Sequence, residues 1–321
     1  MKAWNSLLCF ALTLALVPRT LVAADPARAK SLTVDEATEL LKKPNSLRVD
    51  VTDLSPEAAA VLAKYKGELR FETLTTLSPE TAAALATRSS VLDLPKVSAL
   101  TPAVAKALAT TKGSLNLPGV KELPANVAQE LAAHTGTLFL GVTELSDEAA
   151  SALAKHGGDL RLDQLRSLTS LVLAERLGQQ EWLYLSGVTK ITLEIAKALC
   201  PPGNREKFKN HVQLYIGLTE LPSDVAALII AGRGHLSVNG LERISDEAAA
   251  AWAGPFANIR LFGLKSLSPA AGASLAKGSG IFDIRNFGPE VSDETAAAIA
   301  KQMAAGPHRQ IDFNGLKKLT N

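Results

Sequence analysis

Residues that commonly carry out catalysis are scarce in this sequence and lie far apart. Its 321 residues include five histidines and two cysteines. The sequence contains no HExxH, GxSxG, GxxxxGKS/T or CxxC motif, and these spacings are the ones that hold a metal, a nucleophile or a phosphate. Serine and aspartate are frequent, but they stand at the starts of predicted helices, where they cap backbone N–H groups. We therefore expect no enzyme, no catalytic residues and no cofactor.

Two histidines are candidates for a metal site. His134 and His156 occupy the same place in consecutive copies of a sequence repeat, so their side chains are expected roughly 5 Å apart. No third ligand has a fixed position beside them, and zinc generally takes three or four ligands. The favoured interpretation is a polar residue near a helix C-terminus, where a partly protonated imidazole suits the helix dipole. We predict no metal site. The same kind of segment, between a helix and the next strand, holds His211, His235 and His308.

Cys200 and Trp252 stand where other repeat copies have small or aliphatic core residues. Cys200 is expected to be a small core residue rather than a reactive thiol. Trp252 is expected to pack in the core without a ligand. Since Cys9 lies in an apolar N-terminal run, Cys200 alone would remain after processing, and no disulfide framework is predicted.

A repeat of 22 or 23 residues organises most of the chain. Twelve copies of the phrase L-x-L-x-x-L-x-x-L align with one another, and the alternation in its first half predicts a β-strand. Two steps are longer, 31 and 29 residues, as expected of loop insertions. The first leucine position falls at Leu47, Leu69, Leu92, Leu115, Leu138, Leu160, Leu183, Leu214, Leu236, Ile259, Phe282 and Ile311.

The second half of each copy predicts a helix. In LSPEAAAVLAKYKG, apolar residues stand 3, 4, 7 and 8 positions after Ser55, which is one face of an α-helix. Proline and glutamate follow the serine in the first turn, and glycines such as Gly67, Gly113, Gly136 and Gly157 are expected to end the helices. The N-cap serines are Ser55, Ser78, Ser146, Ser245 and Ser268. A strand and a helix repeated every ~23 residues predict an α/β fold, a curved solenoid with a parallel inner β-sheet and outer helices.

The repeat phrase resembles that of the leucine-rich-repeat family. The Ala-rich helices LSPEAAAVLA and LSDEAASALA resemble those of secreted repeat proteins from planctomycete-type bacteria, and the resemblance covers residues 32–321. It implies a binding scaffold, usually for protein and sometimes for glycan, and not an enzyme. The family usually has Asn after the strand, whereas this chain has Leu or Val, so its turn is expected to differ, eased by a preceding glycine. The replacements are Leu74, Val97, Val120, Leu165, Val188, Leu241, Leu264 and Leu316.

The first 24 residues are expected to be a signal peptide. Lys2 precedes an apolar run from Leu7 to Val17, and Val22 and Ala24 supply small residues before a cleavage site. The run is too short to span a membrane; an uncleaved anchor is the competing interpretation. The predicted divisions are 1–24 signal peptide, 25–46 linker and N-terminal helical cap, and 47–321 solenoid. We therefore expect a secreted or periplasmic bacterial protein.

The strand positions between the leucines would line the concave face of the solenoid, and they carry the strongest functional signal. Tyr184 and Tyr215 fall on consecutive strands and follow Phe139 and Arg161, giving a row about 15 Å long. Aromatic residues beside Arg suit protein hot spots, and flat rings also stack on sugars; the alternative is ordinary cross-strand pairing. The predicted ligand-binding residues are Phe139, Arg161, Tyr184, Tyr215, Arg260 and Phe262. A solvated charge lattice is expected at Arg48, Asp50, Arg70 and Glu72.

The sequence thus predicts a secreted, non-enzymatic scaffold that recognises a protein or a glycan on its concave face. The alternative is a cell-envelope structural protein that self-associates, with a homodimer formed through the open edge left by the C-terminal strand. A net charge of +2, with basic residues spaced among acidic ones, argues against a nucleic-acid partner. No transmembrane segment is predicted.

Overall fold

Helices and strands alternate along the chain. The computed structural model describes residues 31–44, 46–208, 212–253, 258–277, 281–284, 290–304, 310–312 and 318–319. The strands are β1 (Ser46–Val49), β2 (Glu68–Phe71), β3 (Leu92–Asp93), β4 (Leu115–Leu117), β5 (Leu138–Leu140), β6 (Leu160–Arg161), β7 (Trp182–Leu185), β8 (Gln213–Ile216), β9 (His235–Val238), β10 (Asn258–Arg260), β11 (Ile281–Asp283), β12 (Glu290–Val291), β13 (Gln310–Asp312) and β14 (Lys318–Leu319). The helices are α1 (Val34–Leu40), α2 (Pro56–Leu62), α3 (Pro79–Ala86), α4 (Pro102–Ala109), α5 (Ala125–Leu131), α6 (Asp147–Leu153), α7 (Leu171–Gly178), α8 (Leu193–Leu199), α9 (Asn204–Lys207), α10 (Ser223–Gly232), α11 (Asp246–Ala251), α12 (Pro269–Ala276) and α13 (Asp293–Ala304).

The strands pair in parallel, and equivalent residues of consecutive repeats are partners. Strands β1 to β6 form one six-stranded sheet in chain order, and β7 to β11 with β13 form a second. Leu47 pairs with Leu69, and Leu183 pairs with Leu214. The same register continues through each sheet to Leu160 and to Ile311. All twelve predicted strand copies and the predicted α/β solenoid are therefore confirmed.

The hydrophobic core lies between the sheets and the helices. Strand leucines and the Ala and Leu residues of the helices are buried in one continuous cluster. The predicted N-cap serines are confirmed, because each accepts a hydrogen bond from the backbone N–H three residues later. We refer to the opposite sheet face, lined by the residues between the strand leucines, as the concave face.

The turn after each strand is closed by backbone atoms around a buried apolar residue. Val120 N–H donates to the Leu117 carbonyl at 3.2 Å, and Val188 N–H donates to the Leu185 carbonyl at 2.9 Å. Leu74, Val97, Val120, Leu165, Val188, Leu241 and Leu264 are each at most 1% exposed, while Leu316 lies outside the described residues. An apolar row therefore occupies the position where the resemblance implied an Asn row.

Several glycines serve close approach between repeats rather than left-handed turns. A Cβ on Gly113 would lie 2.3 Å from the Ser90 carbonyl oxygen, and one on Gly240 would lie 2.1 Å from that of Gly217. In the described part of the chain, a positive φ is found only at Gly203. The expectation that glycines end the helices is therefore wrong, since α2, α4, α5 and α6 end in right-handed conformations. At Gly113 and Gly136 the missing side chain instead leaves room for the preceding repeat, whereas a Cβ on Gly157 would have open space.

Buried arginines bond the backbone at the opposite corner, where each helix leads into the next strand. Arg88 donates to the Gly67 carbonyl at 2.6 Å. Arg233, which is 0% exposed, donates to the carbonyls of Gln180 and Leu199, each at 2.7 Å. Leu199 is the last residue of α8, where helical carbonyls lack intrahelical partners. These side chains join one repeat to another, and the sequence pattern did not identify them.

The ladder between the two sheets is interrupted at β6 and β7, and a glutamine side chain spans the gap. The backbone hydrogen bond from Leu162 to Tyr184 is long, at 3.4 Å. Buried Gln180 accepts from Leu160 N–H through Oε1 at 2.9 Å and donates through Nε2 to the Leu160 carbonyl at 3.0 Å. We call this junction the seam. At the seam, the Gln180 side-chain amide makes the hydrogen bonds to Leu160 that a backbone amide of the neighbouring strand makes elsewhere in the sheets.

The two ends of the described chain differ from the central repeats. Helix α1 lies within the predicted cap and begins with a capping box between Thr33 and Glu36, whereas the predicted signal peptide lies outside the described residues. At the C-terminal end, β13 is the last strand of the second sheet, and β14 pairs with β12. No helix in the described ranges has both the length and the apolar character needed to cross a membrane.

The seam gives a stability prediction. Gln180→Leu leaves the Leu160 N–H and carbonyl buried without their side-chain partner, and each unsatisfied group costs about 1–3 kcal/mol. We expect the free energy of unfolding, measured by urea titration, to fall by about 2 kcal/mol or more.

The matched control for this change is Gln179→Leu. Gln179 is the exposed neighbour of Gln180, and surface substitutions usually change stability by less than about 0.5 kcal/mol. Equal stability of the two variants would contradict a structural role for the Gln180 amide.

Candidate functional site

The strand register brings four of the six predicted ligand-binding residues into one stack. Phe139 pairs with Arg161 across β5 and β6, and Tyr184 pairs with Tyr215 across β7 and β8. The guanidinium carbon of Arg161 lies 5.1 Å from the Phe139 ring centroid and 4.1 Å from that of Tyr184. The rings of Tyr184 and Tyr215 are parallel to within 5°, with centroids 5.0 Å apart. Arg161 thus makes a cation–π contact on each side and closes the seam on the concave face.

Within the stack, Tyr184 presents its ring edge and hydroxyl rather than its ring faces. Arg161 covers one face of Tyr184 and Tyr215 covers the other. Desolvation raises the pKa of Tyr184 above its ordinary value, so its hydroxyl stays protonated at neutral pH. Arg161 also pairs with Asp163 at 3.3 Å. A rigid row of this kind offers apolar edges, a hydroxyl and a guanidinium to a partner.

Trp182 belongs to the same surface and was missed in the sequence. It stands two residues before Tyr184 on β7, so both side chains point to the concave face, and Trp182 is 41% exposed. Extending the period-two alternation one step before Leu183 would have identified it. We define the aromatic patch as Phe139, Arg161, Trp182, Tyr184 and Tyr215.

A floor made mostly of small residues runs beside the patch. Gly141 and Gly217 lie in the row next to the rings, with half-buried Asp163 and exposed Ser186 between them. A Cβ on Gly141 would lie 1.9 Å from the Pro118 carbonyl oxygen, and one on Gly217 would lie 2.1 Å from that of Ser186. The floor is therefore close-packed backbone, and the rings project from it.

The structure separates the two remaining predicted residues from this stack. Arg260 is exposed on β10, and Ser237 on β9 stands between it and Tyr215 in the strand register. Phe262 is half-buried, two residues beyond Arg260. Their role in ligand binding remains a prediction.

The predicted charge lattice forms at the first strands. Arg48 pairs with Glu72 at 3.4 Å, and Arg70 pairs with both Glu72, at 3.0 Å, and Asp93. Thr73 donates a hydrogen bond to Asp50 at 2.7 Å. The pKa of Arg70 is raised, chiefly because its own side chain hydrogen-bonds to Glu72. Burial raises the pKa of Asp93, against the opposing effect of Arg70. Both arginines at this end of the concave face are thus already paired with carboxylates of the same face.

His134 and His156 form a stacked, buried pair. Their ring centroids lie 5.9 Å apart and the rings are parallel to within 7°, close to the predicted separation. Each residue is 1% exposed, and burial lowers the pKa of both imidazoles. Burial therefore disfavours the partly protonated state that the sequence predicted, because desolvation outweighs the backbone hydrogen bonds that favour protonation. Within the described residues no cluster of three or more His, Cys, Asp and Glu side chains could hold a metal. His211 and His308 lie outside those residues.

Cys200 and Trp252 occupy the core, as predicted. Cys200 is 5% exposed, and burial raises the pKa of its thiol to about 11, so it is not a reactive thiolate at neutral pH. Trp252 is fully buried and donates its indole N–H to the Ala226 carbonyl at 2.9 Å.

One surface cavity lies away from the aromatic patch. It measures about 680 Å³ and lies between α1 and β1 at the first repeat, lined in part by Leu32, Glu36, Leu40 and Arg48. The patch lies on β5 to β8, at the middle of the array. The cavity reflects the open end of the sheet, and the patch is the stronger candidate for a binding site.

Comparisons with known proteins give similar chain folds at low identity. No protein-family model matches the chain, and no curated protein matches it. A leucine-rich-repeat protein from Leptospira interrogans is 14% identical, with 88% of this chain and 75% of that chain covered and a TM-score of 0.45. An internalin, InlF, from Listeria monocytogenes is 12% identical, with 90% and 89% covered and a TM-score of 0.49.

A third similar structure is the Toll–Spatzle complex from Drosophila, which is 12% identical over 86% of this chain and 43% of that chain, with a TM-score of 0.45. Similarities of this size support no inference about partners or activity. The solenoid architecture is established by the strand register and helix packing of this chain itself.

The stacked histidines predict an acid-sensitive fold. Burial lowers their folded-state pKa below the unfolded value of about 6.5, so the unfolded chain binds more protons and the free energy of unfolding decreases as the pH falls below about 6.5. Arg176, whose charge also lowers the pKa of His156, adds to this effect.

The measurement is urea unfolding at several pH values between about 7.5 and 5, on the wild type and on a His134→Met, His156→Met double variant that cannot titrate there. We expect the wild type to lose more stability on acidification than the variant. The same pH dependence in both proteins would contradict the assignment.

Proposed function

We propose that this chain is a secreted scaffold that binds a protein partner through the aromatic patch. The observation that carries the proposal is the continuous contact from Phe139 through Arg161 and Tyr184 to Tyr215 on the concave face. Trp182 adds an exposed indole beside it. Trp, Tyr and Arg are the residues most enriched in protein-binding hot spots.

Preorganisation supports a binding role. Each member of the stack is held by its neighbours, so a partner would lose little side-chain entropy in ordering them. The convex side lacks this arrangement in the described helices, where the exposed apolar side chains Leu171 and Val172 lie on α7. A protein partner is favoured over a glycan because the faces of the Tyr184 ring, which a sugar would need for stacking, are already covered.

The test of the proposal is affinity capture from envelope and culture-supernatant extracts. The baits are the protein without its predicted signal peptide, a Trp182→Ala, Tyr184→Ala, Tyr215→Ala variant, and a Leu171→Ala, Val172→Ala control that removes comparably exposed apolar groups from α7. We expect a protein to be retained by the wild type and the control and to be lost with the patch variant, at matched thermal unfolding of all three.

Other outcomes of the capture would contradict this proposal in defined ways. Retained material that resists protease treatment would identify a glycan. Equal retention by all three baits would show that the aromatic patch does not contribute to binding. Sedimentation that changes with protein concentration, together with equal retention, would favour the self-associating envelope protein and its homodimer.

Secretion is part of the same proposal and has its own measurement. Cleavage after Ala24 predicts a mature protein that begins at Asp25. The intact mass of the protein recovered from its native source would show this start, and a mass that includes residues 1–24 would contradict it.

A further inference from the structure

Arg260 differs from the other described arginines of the concave face. Arg48 and Arg70 pair with Glu72, and Arg161 pairs with Asp163. Arg260 is exposed, and no described residue forms an ion pair or hydrogen bond with it. Its register neighbour Asp283 is 4% exposed, and no ion pair joins the two. Arg260 is therefore an exposed cation without an ion-pair partner among the described residues.

A narrow cleft separates Arg260 from the aromatic patch. Tyr215, Ser237 and Arg260 are register partners on β8, β9 and β10, and strand spacing places the backbones of the outer two about 10 Å apart. Ser237, in the middle, has a small side chain. The cleft between the strands measures about 10 Å³, which is room for about one water-sized atom. It admits an oxygen atom and excludes a ring.

The other polar groups that line this cleft are already hydrogen-bonded. Tyr215 donates its hydroxyl to Gln213 Oε1 at 2.8 Å, and Ser237 donates to Asn239 Oδ1 at 3.0 Å. The Asn258 amide nitrogen lies 2.8 Å from Nδ1 of His235. The guanidinium is thus the charged donor group at this cleft, beside the neutral amide nitrogen of Gln213.

We propose that the protein partner places a carboxylate, from Asp, Glu or a free C-terminus, at this cleft, with one oxygen between Tyr215 and Arg260. The proposal rests on the proposed function, since it names the chemistry that the partner presents beside the patch. Charge complementarity carries it, because an arginine fork matches a carboxylate in two parallel hydrogen bonds. The Tyr215 ring supplies an apolar wall on the other side.

The experiment uses a displayed library of random 12-residue peptides, with free C-termini, selected on the wild-type protein. Selected peptides are synthesised and their binding is measured by fluorescence anisotropy. We expect an acidic residue or the free C-terminus to be required. Its replacement by Asn, Gln or a C-terminal amide weakens binding on the order of tenfold or more, as for a charge-assisted hydrogen bond.

Arg260→Gln is expected to cause the same loss, and the loss should not add to that of the neutral peptide, because both changes remove one contact. Arg260→Lys keeps the charge without the fork and should recover part of the affinity. The matched control is Arg48→Gln, which removes an exposed cation already paired with Glu72 and should leave binding unchanged.

Three results would overturn the inference. Peptides that require Trp182, Tyr184 and Tyr215 but bind Arg260→Gln equally well would refute the carboxylate anchor and leave the proposed function standing. An equal loss with Arg48→Gln would show general attraction between charges instead of a site. A selection that yields no peptide dependent on the aromatic patch would overturn both proposals.

Discussion

The structure depends on one constraint, which is that each repeat must pair its strand in parallel with the next repeat in the same register. A parallel strand bonds its backbone to two neighbours, so a repeat cannot satisfy these groups alone. The register Leu47–Leu69–Leu92 in the first sheet, and its counterpart from Leu183 in the second, places equivalent residues in straight rows. A substitution in one repeat therefore acts mainly on the residues at the same position in the repeats on either side.

The rows explain both the stability and the candidate function. Where each helix leads into the next strand, the rows bring buried polar side chains side by side, including the stacked pair His134 and His156. On the concave face, the same spacing brings Arg161 between Phe139 and Tyr184. The stack crosses the seam, where Gln180 replaces part of the backbone ladder. The aromatic patch thus lies where the sheet itself is least continuous, and its side-chain contacts add to the connection between the two sheets.

The rows could be predicted from sequence because a 23-residue period and a two-residue alternation fix them together. Twelve strands, the serine caps and the contact of Tyr184 with Tyr215 all follow from counting residues along the repeat.

Trp182 was missed because the aligned phrase began one residue too late. The part played by Gln180 could not be predicted, since a side-chain amide that replaces a backbone pair leaves no periodic signal. The part played by Gly113 and Gly136 could not be predicted either, because it depends on the distance to the backbone of the preceding repeat, which no single repeat contains. The protonation of the histidines likewise depends on burial from the neighbouring repeats.

The central claim is that the partner contacts the concave face at the middle of the array. Hydroxyl-radical footprinting of the protein, alone and with its captured partner, tests this claim directly, because it reports the solvent access of individual side chains. The account predicts that oxidation of Trp182 falls in the complex and that oxidation of Leu171 and Val172 on α7 does not change. Protection of the α7 side chains with Trp182 unchanged would contradict it and place the interface on the helical side.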